Sequence, residues 1–386
     1  MLGDCLKDGG WEKNFGRFAR IWIRKGELIT SQKVEQKMFG ARAYNGHRGE
    51  MHKILWDHAL SLGVEIRCSS NVSSFWETET SCGVICNGET VEADVVVGAD
   101  GVRSNARKLV LGYEDKPKPS GYAIYRAWFD AKSSGIADDP LTSMLVEGGK
   151  DHFYGWIGED VHFLASSLKG GQDVSYVITH KDDADIEESW QFPVRFPVGF
   201  GGQDADTRPS KGKMEDVLKI VEGWDPRCAA ILSKAPSVVD WKLVHRDPLV
   251  TWVSPLGRCA LIGDAAHPFL PTSIQGASQA MEDGVTLACT LKQAGKGSIP
   301  LAVRAFEAIR YGRVRRAQLG GVRQREAWHK TLSEDAKKNP EKVMLPREEW
   351  LLGHDSEKHA FEAYPAVAKE LELRGYSLPV LPTTFE

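Results

Sequence analysis

The residues with the clearest potential for chemistry lie in the segment 257–268, where a carboxylate follows a short apolar run. Residues 259–262 have the pattern of a buried strand, and Gly263 and Asp264 come directly after them. A carboxylate on a tight glycine turn can accept hydrogen bonds from the hydroxyl groups of a ribose or a sugar alcohol. We therefore predict that Asp264 binds a ligand. The alternative is an ordinary strand-to-helix turn in which the aspartate caps the helix.

A helix is predicted soon after this turn, from about Gln275 to Leu291, because apolar and small residues recur there at helical spacing. At its start, the backbone N–H groups of Gly276 and Ala277 would lack helical partners and would carry partial positive charge. His267 precedes the helix, and a histidine can act as a general base near neutral pH. We favour a structural role for His267, as part of the turn.

Two further segments carry charged residues at positions that could bind a ligand. Residues 95–97 form a β-branched run of the kind that is buried in parallel sheets, and Asp100 follows it in a glycine-rich turn. Arg48 lies at the start of a predicted helix that continues to Leu62. Taken alone, Arg48 could also be an exposed residue at a helix end.

Together, and in this order, these segments resemble the FAD-binding motifs of the class A flavoprotein monooxygenases, which include the 4-hydroxybenzoate and salicylate hydroxylases. Residues 257–284 are similar to the motif that binds the ribityl chain. Residues 95–104 look like the Asp-Gly motif associated with FAD and the nicotinamide coenzyme, and residues 47–52 look like the segment whose arginine contacts the flavin. The residues implied to bind FAD are Arg48, Asp100, Asp264, Gly276 and Ala277.

The resemblance implies an FAD-dependent monooxygenase, which is an oxidoreductase. NADPH or NADH would reduce FAD, and O2 would supply the oxygen atom that hydroxylates an aromatic or polyketide-like small molecule. Residues 350–355 resemble members found in fungal-type secondary metabolism. No catalytic residue, substrate or coenzyme preference follows from the sequence. The alternatives are an epoxidase or oxidase on the same fold, and an inactive, N-terminally truncated remnant that acts as a binding protein.

One feature of the family is missing from this sequence. Members begin with a strand and a GxGxxG turn that holds the FAD pyrophosphate, whereas Gly3, Gly9 and Gly10 do not follow a strand. We therefore expect an FAD-binding domain without its first βαβ unit, with exposed sheet edges. Either the sequence starts late in a longer enzyme, which we favour, or the protein is short.

The predicted fold class is α/β: a split Rossmann-like FAD-binding domain with an inserted, mainly antiparallel β-sheet domain for the substrate and C-terminal helices. Tyr125 and Arg126 lie in the inserted domain, and alternation would turn only one of them toward a substrate. A short strand is also predicted at residues 64–67. The predicted domains are residues 1–112 and 246–300 for FAD, 113–245 for the substrate, and 301–386 for the C-terminal helices.

Composition favours a globular protein that acts on small molecules. The 386 residues contain 49 Lys and Arg against 53 Asp and Glu, which does not favour binding to nucleic acid or to an anionic membrane. The sequence has neither an apolar run long enough to span a bilayer nor the spacing of a metal site. Seven scattered cysteines are typical of a reducing compartment, so we predict a soluble, cytoplasmic protein of undetermined oligomeric state.

Overall fold

The computed structural model describes residues 18–33, 37–42, 46–182, 210–331, 333–345 and 348–381. Their contacts divide the chain into two units. The first unit consists of Met1–Arg67, Pro119–Val244 and Glu326–Glu348. The second unit consists of Cys68–Lys118, His245–Arg325 and Glu349–Glu386. The domain boundaries given above stay a prediction.

The first unit is built on one large sheet whose order is β13-β14-β9-β12-β11-β10-β1-β2. Strand β1 runs parallel to β10. The pairs β1–β2, β10–β11, β11–β12 and β12–β9 are antiparallel. The mainly antiparallel sheet predicted from the alternating sequence is therefore confirmed. Its strands are β1 (Phe18–Ile23), β2 (Leu28–Lys33), β9 (Lys118–Asp130), β10 (Phe153–Gly158), β11 (Val161–Leu168), β12 (Asp173–Lys181), β13 (Ser210–Gly212) and β14 (Val238–His245).

Alternation along the strands places buried apolar residues on both faces of this sheet, and the largest cluster, which we call the core face, lies on one of them. Tyr125 and Phe129 of β9 point into the same buried cluster as Trp156 of β10. Two short helices, α3 (Met214–Ile220) and α4 (Pro226–Ser233), add their apolar residues to the cluster. Burying each large ring stabilises the unit by roughly 2–3 kcal/mol, so this face is fixed by packing.

Helix α1 (Arg48–Ser61) also belongs to the first unit and ends just before Gly63, as predicted. None of its side chains is buried, and Leu60 is 49% exposed. The strand predicted at residues 64–67 is wrong: this segment has no partner strand, and Val64 is half exposed. A strand needs a neighbour to satisfy its backbone groups. Smaller elements of this unit are β3 (Lys37–Met38), β4 (Ala41–Arg42) and α7 (Ser333–Lys338).

The second unit contains the short parallel pair expected for the α/β part. Strand β8 (Val96–Gly98) runs parallel to β15 (Cys259–Leu261), although the two are separated by some 160 positions of the chain. A three-stranded antiparallel sheet precedes β8 in the chain. Its strands are β5 (Val72–Glu77), β6 (Cys82–Cys86) and β7 (Glu89–Ala93).

Helices make up the remainder of the second unit. The helix predicted from about Gln275 and the predicted C-terminal helices are present. No helix within the described residues is both long and apolar enough to cross a bilayer. The helices are α2 (Ala106–Leu111), α5 (Gly276–Ala294), α6 (Ile299–Lys330, whose last five residues belong to the first unit), α8 (Glu349–Leu352) and α9 (Ser356–Arg374).

Candidate functional site

The parallel pair of strands brings two of the predicted site residues to the same edge of the second unit. Gly98 at the end of β8 is the register partner of Leu261 at the end of β15. The next amide, that of Ile262, donates to the carbonyl oxygen of Gly98 at 3.0 Å. The turns that carry Asp100 and Asp264 therefore start side by side, and both of these carboxylates lie on exposed residues.

Gly98 is required at this edge because helix α2 packs directly on the end of the strand. A Cβ atom on Gly98 would lie 2.5 Å from the Cβ atom of Ala106 and 2.9 Å from the side chain of Leu261. Real Cβ atoms do not approach each other so closely. The glycine thus lets the turn after β8 stay close to the turn after β15.

Asp100 has a structural task that the sequence did not indicate. Its Oδ2 atom accepts hydrogen bonds from the backbone N–H groups of Asn105 at 2.7 Å and of Ala106 at 3.1 Å. The carboxylate therefore satisfies two amides at the start of α2 and offsets the partial positive charge there. Its role toward FAD and the coenzyme stays a prediction.

Arg107 joins the two turns, and sequence reasoning missed it. Its guanidinium donates to the carbonyl oxygens of Asp264 at 2.6 Å, of Ala265 at 2.7 Å and of Val102 at 2.7 Å. The side chain is 3% exposed. Burial, together with the positive charge of Arg246, lowers the pKa of Arg107 to about 10, so it remains charged at neutral pH. The feature that could have pointed to Arg107 is a charged residue seven positions after Asp100, at a position of α2 that is buried.

Asp283 holds the turn after β15 from the other side. Its Oδ2 atom accepts the backbone N–H of Gly263 at 2.9 Å and lies 2.5 Å from Nε2 of His267, while Oδ1 accepts Nε of Arg310 at 2.9 Å. Asp283 is fully buried and His267 is 3% exposed. This burial favours the structural interpretation of His267.

The charge on Asp283 is set by these neighbours. Burial by itself raises the pKa of this carboxyl, but His267 and Arg310 outweigh it and hold the pKa below its usual value. The adjacent Glu282 behaves in the same way: burial is outweighed by Arg313 and Arg310, and the pKa is lowered. Two ionised carboxylates on α5 thus anchor α6 and the turn that carries Asp264.

The N-terminus of α5 is open. The preceding residue, Gln275, makes no side-chain capping hydrogen bond, and the first turn contains no acidic residue. Gly276 is half-buried and Ala277 is exposed. In addition, Ile274 adopts φ 55°, a strained conformation for a β-branched residue, directly before the helix. The free amides of this 19-residue helix can therefore stabilise negative charge on a ligand.

Arg48 belongs to the first unit, unlike the other four predicted ligands of FAD. It is the first residue of α1, and the preceding His47 caps the helix by accepting the N–H of Gly49 at 3.1 Å on Nδ1. The ring of His47 contacts Trp128 edge-on, with 4.7 Å between ring centroids. Lys169 pairs with Glu50 as well. The start of α1 is therefore fixed against the sheet.

Tyr125 and Arg126 lie on opposite faces of the sheet. Tyr125 is 7% exposed and belongs to the core face. Arg126 is half-buried on the other face, which it shares with Trp128 two positions further along the strand. Burial and the positive charge of Arg48 lower the pKa of Arg126 to about 10. The positive charges of Arg48 and Arg126 therefore act on each other within the first unit.

The donor and acceptor groups of the second unit fit the ribityl chain and ring of a flavin. Asp264 offers an exposed carboxylate for hydroxyl groups, and the open amides of Gly276 and Ala277 suit a ring that becomes negative on reduction. Within the described residues, no group of three His, Cys, Asp or Glu side chains could hold a metal ion.

Comparison with known proteins gives consistent matches over nearly the whole chain. Residues 17–181 match the family model of the FAD binding domain. The chain is 35% identical over 357 residues to the Asperlicin C monooxygenase of Petromyces alliaceus, and the match covers 92% of this chain and 74% of that relative.

Solved structures give the same result at the level of the fold. CtdE in complex with FAD and a substrate superposes with a TM-score of 0.81 at 29% identity, covering 96% of this chain and 85% of that one. A salicylate hydroxylase bound to its substrate superposes with a TM-score of 0.71, covering 99% of this chain and 90% of that one. At 20% sequence identity, this superposition shows a shared fold and nothing further.

Proposed function

Because the chain belongs to the class A FAD-dependent monooxygenases, we propose that it uses NADPH or NADH and O2 to hydroxylate an aromatic or polyketide-like small molecule. FAD is the cofactor of this oxidoreductase family. The observation that carries the proposal is the exposed carboxylate of Asp264, which is held on a turn anchored by Arg107 and Asp283. The matched relative is named for a secondary metabolite, which supports the substrate class.

Five residues are proposed to bind the cofactor. Asp264 accepts hydrogen bonds from the ribityl hydroxyl groups, and the amides of Gly276 and Ala277 face the flavin ring. Asp100 binds at the part of the site that FAD and the nicotinamide coenzyme share, and Arg48 contacts the flavin. When bound, FAD would take up electrons from the nicotinamide and activate O2, one atom of which goes to the substrate while the other leaves as water.

The chain itself contributes position and electrostatics. The partial positive charge at the start of α5 stabilises negative charge on the ring, and Arg107 and Asp283 keep the turn of Asp264 in place. In the first unit, Arg126 and Trp128 offer a cation and an aromatic side chain for an electron-rich substrate on the sheet face opposite the core. Hydroxylation of such a ring requires the site to exclude water.

The cysteines support a proposal on localisation. Those in the described part of the chain are free thiols, and three of them, Cys82, Cys228 and Cys259, are fully buried. Free buried thiols are usual in a reducing compartment. We therefore place the enzyme in the cytoplasm.

Titration of the purified chain with FAD tests the cofactor site. The wild-type chain is expected to bind FAD, seen as quenched flavin fluorescence. Asp264→Ala should weaken the Kd about 10- to 100-fold, because a charge-assisted hydrogen bond contributes about 1.5–3 kcal/mol. The backbone carbonyl oxygen of Asp264, which accepts from Arg107, is retained in this variant. Asp57→Ala is the matched control, since Asp57 is an exposed aspartate of the other unit.

Product analysis with isotopically labelled O2 tests the reaction. A hydroxylase places one labelled oxygen atom in the organic product for each nicotinamide oxidised. An oxidase leaves the product unlabelled, and an epoxidase gives a labelled epoxide, so either result would replace the hydroxylation proposal. A chain that is colourless after incubation with FAD and removal of the unbound FAD would contradict enzymatic function and would favour a binding protein.

A further inference from the structure

A small pocket of the second unit lies beside the turn that carries Asp264, and the proposed reaction does not use it. Its free volume is about 10 Å³, which is room for about one water molecule. The loop before β15, the turn after it and helix α6 line the pocket. The residues that bear on its chemistry are Leu249, Trp252, His267, Tyr311, Arg315 and Gln318.

His267 lines this pocket and is almost fully buried. Its Nε2 atom lies 2.5 Å from Oδ2 of Asp283, which also accepts the N–H of Gly263 and an N–H of Arg310. With such donors around it, Asp283 acts as an ionised acceptor, so Nε2 of His267 carries a proton toward it, and a ring with this one proton leaves Nδ1 as an acceptor. The Nδ1 atom then presents a lone pair.

That lone pair has no hydrogen-bond partner among the described residues, although His267 is 97% buried. Two uncharged donors that line the pocket are used elsewhere. The hydroxyl of Tyr311 donates to the carbonyl oxygen of Leu249 at 2.7 Å, and Nε2 of Gln318 donates to that of Pro268 at 3.1 Å. A buried acceptor without a donor is rare in folded proteins, and ordered water usually supplies the missing bond.

We propose that the pocket binds one ordered water molecule that donates a hydrogen bond to Nδ1 of His267. The carbonyl oxygens of Leu249 and Pro268 each keep a second lone pair for the other hydrogen of this water, and Arg315 also lines the pocket. The water satisfies Nδ1 of His267 and completes a chain of hydrogen bonds that runs through Asp283 to the backbone of Gly263. His267 is thus a positioning residue for the turn of Asp264.

The water site is a property of the second unit alone, so it can be tested without FAD or substrate. A high-resolution crystal structure of the full chain is expected to show one water within hydrogen-bond distance of Nδ1. An empty pocket, or a protein donor placed directly on Nδ1, would overturn the proposal.

Nitrogen-15 NMR of histidine-labelled protein provides a second readout in solution. The signal of His267, assigned by its loss in His267→Gln, is expected to show a neutral ring with the proton on Nε2. A nuclear Overhauser contact between a ring proton of His267 and a bound water should accompany it. A ring protonated on Nδ1, or the absence of any water contact, would contradict the site and would leave the proposed FAD chemistry unaffected.

Discussion

The guanidinium of Arg107 donates a hydrogen bond of 2.6 Å to the carbonyl oxygen of Asp264, which lies 157 positions later in the chain. The same side chain binds the carbonyl oxygen of Val102 in the turn after β8. One buried cation therefore holds together two turns, each of which carries a proposed cofactor ligand. The position of Asp264 depends on Arg107 as much as on its own strand.

Replacing this cation tests how firmly the turns are coupled. Arg107→Lys keeps the positive charge, but an ammonium group cannot reach three carbonyl oxygens at once. We expect the free energy of unfolding to fall by about 3 kcal/mol and the Kd for FAD to rise about 10-fold. Urea denaturation and FAD titration measure the two effects. Arg374→Lys, at an arginine whose side chain is 78% exposed, should change neither.

The turn after β15 should tolerate no side chain at Gly263. This residue has φ 55°, and a Cβ atom would lie 3.1 Å from the Cβ atom of Ala280. Gly263→Ala is therefore expected to lower the free energy of unfolding by about 2 kcal/mol. Gly312→Ala, in the interior of α6 with nothing within 4 Å, should raise it by about 0.5–1 kcal/mol. Thermal melts test the pair: a lower melting temperature for Gly263→Ala together with a higher one for Gly312→Ala confirms the prediction, and shifts in the same direction contradict it.

Asp151 is expected to make the stability depend on pH. Burial raises the pKa of Asp151 to about 6, against the lowering effect of the N–H groups of Gly170 and Gly171. Between about pH 4 and pH 6 the folded state therefore binds more protons than the unfolded state. The protonated carboxyl of Asp151 therefore contributes its full stabilisation below pH 4, and this contribution is lost as the pH rises through 6.

Asp151→Asn removes this titration and can still accept the N–H of Gly170, which donates to Oδ1 at 2.7 Å. At pH 7.5 the variant should be more stable than the wild type by about 1 kcal/mol, which allows for partial screening by solvent. Its unfolding free energy should also vary less between pH 4 and pH 6. Chemical denaturation across this range measures both. If the variant lost as much unfolding free energy between pH 4.5 and pH 7.5 as the wild type does, Asp151 would not be the source of the pH dependence.

The C-terminal segment is anchored by Tyr376. Its hydroxyl donates to Oε2 of Glu307 at 2.6 Å, and Glu307 is fully buried. Tyr376→Phe should cost about 1–3 kcal/mol, because a buried carboxylate loses a donor. Burial raises the pKa of Glu307, and loss of the Tyr376 hydrogen bond removes a lowering contribution, so the cost should be larger at pH 8 than at pH 5. Tyr113→Phe, at a residue that is 56% exposed, is the control in urea titrations.

Local patterns in the sequence predicted much of the fold. Alternating residues predicted the mainly antiparallel sheet, helical spacing predicted α5, and short apolar runs followed by glycine predicted β8 and β15. These features depend on neighbours two to four positions away, where side-chain burial and backbone conformation are coupled directly. The strand predicted at residues 64–67 failed because a strand also needs a partner, and that partner is a matter of tertiary structure.

The sequence by itself therefore determined that Asp264 lies on a tight turn before a helix with free amides. Only the tertiary structure decided what holds that turn: Arg107 from one side and Asp283 from the other. The physical reason is that a buried charge must be satisfied by whichever polar groups the folded chain brings within 3 Å. For Arg107 those groups include backbone carbonyl oxygens, which every residue possesses and no sequence pattern distinguishes.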